Sequence, residues 1–496
     1  MRSGDVRIGV GADVPVDEGD VDEPVERRRR GDERREALEA GIRHRRRGTV
    51  TGVTAAIRSG LREPHVTLAL GALVVVAAEA AYAHRASDAW LLVEVVAATA
   101  ALVRAWREQD RLRLLPVLAL GAAFDLAYVG VHLAFGVRSD FDSRVLYKRY
   151  GERLLHGHYP HAEYPVGAVL LFAWEAWISR GATRVANAFT MIPFQALTVG
   201  GVWALRTRYA PWLAAALAFF PLNPYFWEFK FDLVPAAMLV LGIVFARRER
   251  WAAAGVALAL GTVVKWTPGL AFAVLFAWLL STRRIRNAAE HAAAFVVTVL
   301  IVYVPFLLWD AHDVTAAYSR QNTRVITPES LWYLPLHVVG LAHVKSHISF
   351  GAGAPHWANV AAQAIQVTIV VVLIVAATRV RERAGALAIA ALTPAAFLVT
   401  NRIFSPQFIL VIGVGIVVAA ALLVRSRREQ LAVGVAFGAA SVGNAFVYPY
   451  ALPHYTFTWQ LASLALFACA SALIVWLTLR AVGADRGPFM QRPRVE

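Results

Sequence analysis

Long apolar stretches alternate along the chain with short charged ones, and the apolar stretches carry almost no polar face. In "VTLALGALVVVAAEAAYA" (Val66 to Ala83) and "AAFVVTVLIVYVPFLLW" (Ala293 to Trp309), polar residues do not recur at the 3.6-residue period of a helix half in water. At about 1.5 Å per residue, such runs come close to crossing a hydrocarbon core of roughly 30 Å. The pattern predicts an all-α, polytopic membrane helical bundle of about fourteen spans. They fall near 66–84, 87–106, 114–135, 186–205, 210–227, 232–247, 251–265, 268–281, 288–309, 357–378, 384–400, 407–424, 429–450 and 457–481. A basic, disordered cytoplasmic tail is expected over 1–65, the membrane domain over 66–482 and a second cytoplasmic tail over 483–496.

One stretch does not fit a simple count. If "YPVGAVLLFAWEAWIS" (Tyr164 to Ser179) crossed the bilayer, the loops "RTR" (Arg206 to Arg208) and "ARRER" (Ala246 to Arg250) would both lie outside. If it lies in the outer interface, both join the other arginine-rich loops inside, as the positive-inside rule requires. It is therefore read as an external juxtamembrane or re-entrant helix, with both chain termini inside.

Composition supports this picture and removes others. The 496 residues are 58% hydrophobic with a mean hydropathy of +0.50, and the formal charge is +15. The arginines are scattered over short interhelical loops rather than along one soluble face, so they fit membrane topology and not nucleic-acid binding. Cys469 is the single cysteine, which excludes an intrachain disulfide and a cysteine-based metal cluster. The chain has no clear internal repeat, no phosphate-binding glycine loop, no dinucleotide fingerprint and no serine-nucleophile elbow.

With that topology the titratable residues collect on the outer side. All four lysines, Lys148, Lys230, Lys265 and Lys345, fall there, whereas the inner loops use arginine. The densest stretch, Ser139 to Pro165, holds four carboxylates, four Lys/Arg and three histidines. Asp140 and Asp142 sit just beyond a helix end, where a carboxylate can act as a general base toward a hydroxyl or simply cap the next helix. Lys230 and Asp232 flank one helix start and Lys265 ends another helix. Such residues at the lip of a bundle face a polar cavity or snorkel to the headgroups. Arg324 and Glu329 lie in a long loop running from Asp310 to His356, and Asn401, Arg402 and Gln407 lie at a break made by Pro406. His156, His158 and His161 have spacings that do not define a metal site, and no metal is expected. Glu94 and Asp125 stand out as intramembrane acids without evident partners.

Four ordered segments, "FDSRVLYKRYGERLLHGHYPHAEYPVGA", "NPYFWEFKFDLVPAAMLVLGIVFARRERWAAAGVALALGTVVKWTP", "RVITPESLW" and "NRIFSPQF", resemble glycosyltransferase family 87 of the GT-C superfamily. These are bacterial membrane mannosyltransferases that use polyprenyl-phosphate mannose. The likeness runs from about Leu114 to Val424. Two departures are visible: "HYPHAEYPV" is shorter than the family's usual connection, and two spans precede the one with which the superfamily core begins.

The resemblance implies that an aspartate of the first large external loop is the catalytic base, here Asp142 or Asp140. It implies no cofactor, a polyprenyl-phosphate sugar donor, a glycolipid or glycan acceptor, and a multi-pass protein of the plasma membrane whose site faces outside. The expected phosphate-binding cations are Lys230, Lys265, Arg324 and Arg402. Tyr164, Asn223, Asp232, Glu329, Asn401, Gln407 and His454 are expected to bind sugar or acceptor. The alternatives are a lipid or sugar transporter (a flippase), which would need polar residues at mid-membrane, and an envelope glycan polymerase or ligase using pyrophosphate-linked substrates.

Overall fold

The computed structural model describes residues 63–85, 87, 89–137, 141–179, 183–219, 226, 228–344, 351–448 and 456–483. The expected tails, apart from their innermost residues, and Asp140, Asn223, Lys345 and His454 lie outside these residues. The described residues form helices α1 (Pro64–Arg85), α2 (Ala89–Arg107), α3 (Leu114–Ala134), α4 (Lys148–Leu155), α5 (Val166–Ser179), α6 (Thr183–Trp203), α7 (Ala210–Phe219), α8 (Leu233–Arg247) and α9 (Trp251–Val264). The chain continues through α10 (Thr267–Ser281), α11 (Ile285–Thr323), α12 (Tyr333–Val338), α13 (His356–Arg379), α14 (Arg383–Val399), α15 (Ile409–Leu423), α16 (Arg427–Val447) and α17 (Phe457–Gly483). No strand occurs among the described residues. The protein is an all-α membrane bundle, with nine helices among the described residues long and apolar enough to span and shorter apolar helices packed among them.

The connections sort into two ends. At one end Asp110 meets Arg427, Tyr209 donates to the Arg425 carbonyl, Trp278 donates to the Val380 carbonyl, and Glu249 pairs with Arg383 and Arg284. These are the arginine-rich loops expected to share one side. At the other end, the functional end for the candidate site residues it carries, the loop before α4, the turn before α8, the break between α9 and α10 and the segments flanking α12 come together.

Helix α5 settles the awkward stretch. Its N-terminus follows Tyr164, which packs at the functional end, and the helix after it begins at Thr183, whose hydroxyl donates to the Ser143 carbonyl at the same end. A helix that starts and finishes at one end of the bundle does not cross it. Gly151 of α4 and Gly167 of α5 let α5 lie close against its neighbours: a Cβ on Gly151 would sit 2.2 Å from the Phe172 carbonyl oxygen, and one on Gly167 2.6 Å from that of Val263.

The long loop expected from Asp310 is in part a helix. The backbone breaks at Asp310 (φ −151°, ψ 80°), and α11 then resumes to Thr323 at the functional end. Asp310 restarts it by capping, its Oδ1 accepting from the Asp313 amide at 3.0 Å.

Hydropathy does not determine depth in the bundle. The Pro406–Leu423 span and the most apolar 18-residue stretch of α11 have the same mean hydropathy of 2.4, yet the first is 94% buried and the second 0%. Alanine and glycine explain the difference. Gly415 of α15 faces the Ala391 carbonyl of α14, where a Cβ would come to 2.5 Å, so small residues let α15 be enclosed by protein. The outer helix instead shows Val296, Leu300 and Ile301 to lipid.

Replacing Gly151 by alanine drives a methyl group into backbone that cannot yield, and should cost about 1–3 kcal/mol. Thermal unfolding of the purified variant in detergent should begin several degrees early, and a parent-like transition would contradict the close α4–α5 contact.

Candidate active site

Asp142 opens a single wide helical turn, Asp142–Tyr147, that runs into α4. Its carboxylate caps nothing. It instead accepts from Lys230 Nζ at 2.6 Å across a sequence gap of 88 residues. Lys230 is held in the turn before α8 by its amide, which donates to the Phe226 carbonyl at 2.7 Å, and its side chain is only 5% exposed against 31% for Asp142. The pair therefore presents the carboxylate outward and keeps the ammonium behind it.

A second pair lies beside the first. Asp232, at the N-cap of α8 but making no capping bond, accepts from Lys265 Nζ at 2.5 Å. Lys265 ends α9 in extended backbone, which Thr267 and Pro268 enforce by starting α10 immediately afterwards. The ammonium sits 4.3 Å from the Phe408 ring centre and 5.5 Å from that of Phe231. The second carboxylate oxygen of Asp232 is buried with no hydrogen-bond partner among the described residues.

Aromatic rings bind the two pairs into one site. Tyr147 stacks on Phe172 at 4.2 Å, and Phe231 makes edge contacts with Tyr147 at 5.6 Å and Tyr164 at 5.5 Å. Burial, reinforced by the Asp142 and Glu163 carboxylates, holds the Tyr164 phenol well above its usual range, so it stays protonated and can donate. Arg324, just past the end of α11, is close enough to act electrostatically on Tyr164, Lys265 and Glu329. Burial raises the Glu329 carboxyl, with its own backbone, Thr327 and Arg324 opposing.

Asp142, Lys230, Asp232, Lys265, Arg324 and Tyr164 thus converge, with Glu329 beside Arg324. Arg402 is engaged otherwise: its guanidinium donates to Gln363 Oε1 and the Asn322 carbonyl, both at 3.0 Å, and its own carbonyl accepts from Thr327. It fastens the part of α11 beyond its break at Asp310 to the break before α15. Asn401 Oδ1 accepts from the Ile403 amide at 3.0 Å, and Gln407 Oε1 accepts from the Ser405 hydroxyl, so both shape that break locally.

A buried ionic chain behind the site was missed at the sequence level. His132 of α3 bonds Glu228 at 2.6 Å through Nδ1 and Glu79 of α1 at 2.7 Å through Nε2, with every carboxylate and ring at most 2% exposed. Arg184 of α6 donates to Glu228 at 2.6 Å, and Asn187 donates to the Glu228 carbonyl at 2.7 Å. Glu94 of α2 lies close enough to Glu79 to interact with it electrostatically, although neither of its carboxylate oxygens has a hydrogen-bond partner among the described residues. The available signal was the coincidence of Glu79, Glu94 and His132 inside three successive apolar runs, since intramembrane ionisable residues need one another.

The described helices thus form an apolar bundle with paired acids, lysines and a tyrosine gathered at one end. Residues 163–406, just under half of the chain, match the model of glycosyltransferase family 87, and the match indicates a glycosyltransferase. No curated protein matches the chain. The matched segment contains Lys230, Asp232, Lys265 and Arg324 but begins after Asp142, which reaches it through Lys230.

Replacing His132 by leucine removes the imidazole between Glu79 and Glu228, leaving Glu228 to Arg184 and Asn187 and two buried carboxylates without the ring that joins them, and should destabilise the protein by about 3–5 kcal/mol. Adding Glu79→Gln and Glu228→Gln should recover part of that loss in thermal unfolding, and full stability of the single variant would contradict the buried chain.

Proposed function

We propose that the protein transfers a sugar, mannose, with inversion from a polyprenyl-phosphate donor to a glycolipid or glycan acceptor on the outer face of the plasma membrane. The match to glycosyltransferase family 87 over residues 163–406 supports sugar transfer. The donor class and the sugar come from the family resemblance, and the outer placement from the arginine-rich loops at the opposite end. The single observation that carries the chemistry is the adjacency of the Asp142–Lys230 and Asp232–Lys265 pairs, with Arg324 beside them.

In this reading Asp142 accepts the proton of the acceptor hydroxyl as its oxygen attacks the anomeric carbon, and the bond from that carbon to the phosphate oxygen breaks. A phosphodiester carries one negative charge and the departing phosphate gains a second. Lys230 balances that change: once Asp142 is protonated and neutral, its charge no longer offsets the lysine, which can then stabilise the leaving phosphate more strongly. Lys265 and Arg324 hold the phosphate from the start. The unpaired oxygen of Asp232 and the hydroxyl of Tyr164 are placed to bond sugar hydroxyls. The leaving group is held by side chains, so the scheme needs no cofactor.

Purified protein supplied with labelled polyprenyl-phosphate mannose and a cell-envelope glycolipid extract should label the acceptor. Asp142→Asn should lower the rate by about 10²–10⁴-fold while leaving the protein folded. Unchanged transfer by Asp142→Asn would overturn the base assignment, and transfer only from pyrophosphate-linked donors would overturn the donor class.

A further inference from the structure

We propose that His161, His312 and Asp313 form a binding site for a divalent transition-metal ion of the zinc class, separate from the groups that carry the transfer. His161 lies in the loop between α4 and α5, whereas His312 and Asp313 lie in the first turn of α11 beyond its break at Asp310. The Nδ1 atoms of the two imidazoles point at one oxygen, Oδ1 of Asp313, at 2.8 Å from His161 and 3.0 Å from His312. The rings lie nearly parallel, 5.9 Å apart with 22° between their planes. Three donor atoms within 4.8 Å of one another can surround one ion.

Two neutral imidazoles and one carboxylate are the ligand set that zinc-class ions accept, with metal–ligand distances of about 2.0–2.2 Å. Ligands bound at that distance stand somewhat over 3 Å apart, so binding requires the nitrogens to move outward from Asp313 by only a few tenths of an ångström. Magnesium and calcium favour oxygen-rich shells and are poorly served here. Part of the framework is already fixed: Asp310 holds the Asp313 amide at 3.0 Å, so the carboxylate is set by the same cap that restarts the helix. Both remaining ring nitrogens are available to outer partners or water, and the open coordination position faces solvent beside His312, whose side chain is 88% exposed.

The ion would staple the loop that carries Tyr164 to the part of α11 beyond its break at Asp310, which leads to Arg324. One direct tie already links these segments, Gln321 Nε2 donating to the Glu163 carbonyl at 3.3 Å. A metal bridge at His161, three residues from Tyr164, adds a second, stronger one, and gives His161 a role that the transfer chemistry leaves open. His156, bonded only to the carbonyl of Glu152 within its own turn, takes no part.

The test uses full-length protein with any affinity tag removed, stripped with chelator and dialysed against Zn²⁺ alone. One ion per chain should be retained at micromolar free zinc, and zinc should raise the melting temperature. His312→Ala, which removes an exposed side chain and leaves the fold intact, should lower zinc affinity at least tenfold, as should Asp313→Asn. In place of zinc, Co²⁺ should give visible absorption bands that both variants lose. Absence of stoichiometric uptake by the parent, or uptake unchanged in His312→Ala, would overturn the site. The readout is metal binding, so the outcome stands apart from whether transfer activity is found.

Discussion

Everything at the functional end follows from one constraint: a charge can stay in an apolar bundle only when it is paired. Lys230 is nearly buried and Asp232 wholly so. Neither could remain ionised there without Asp142 and Lys265. The two pairs join segments far apart in the chain, so forming them positions the turn before α8, the end of α9 and the entry to α4 in one step. The aromatic layer of Tyr147, Tyr164, Phe172 and Phe231 then excludes water from the lysine side and leaves Asp142 as the accessible member.

The same constraint recurs one layer deeper. Glu228 stands two residues before Lys230, and it is held by His132, Arg184 and, through its carbonyl, Asn187. His132 in turn depends on Glu79 in α1. Helix α1 thereby supplies a counter-charge on which the turn before α8 rests. It is tied electrostatically to the site and is more than an anchor.

Much of this was legible in the sequence, for identifiable reasons. Uninterrupted apolar runs gave the helices, and the arginine asymmetry gave the orientation of α5, because "RTR" and "ARRER" could share a side with the other basic loops only if α5 did not cross. The residues at helix lips, Lys230, Asp232 and Lys265, were visible as charges that face a polar cavity or snorkel to the headgroups. Their pairing was not visible, since Asp142 could equally have capped its own helix. Arg402, a phosphate candidate by residue type, is engaged with Gln363 and Asn322, partners that no local pattern could announce. The break at Asp310 was read as the start of a loop because a helix that stops and restarts at once leaves only a capping aspartate as its sign.

The central claim is that Lys230, Lys265 and Arg324 surround a lipid phosphate while Asp142 meets an acceptor hydroxyl. A structure of the protein in lipid nanodiscs with a non-transferable polyprenyl-phosphate mannose analogue tests it most directly. The account predicts phosphate density within hydrogen-bond reach of Lys265 and Arg324, and the anomeric carbon on the Asp142 side of it. Phosphate bound at the opposite end of the bundle, or at this end without contact to any of the three cations, would contradict it.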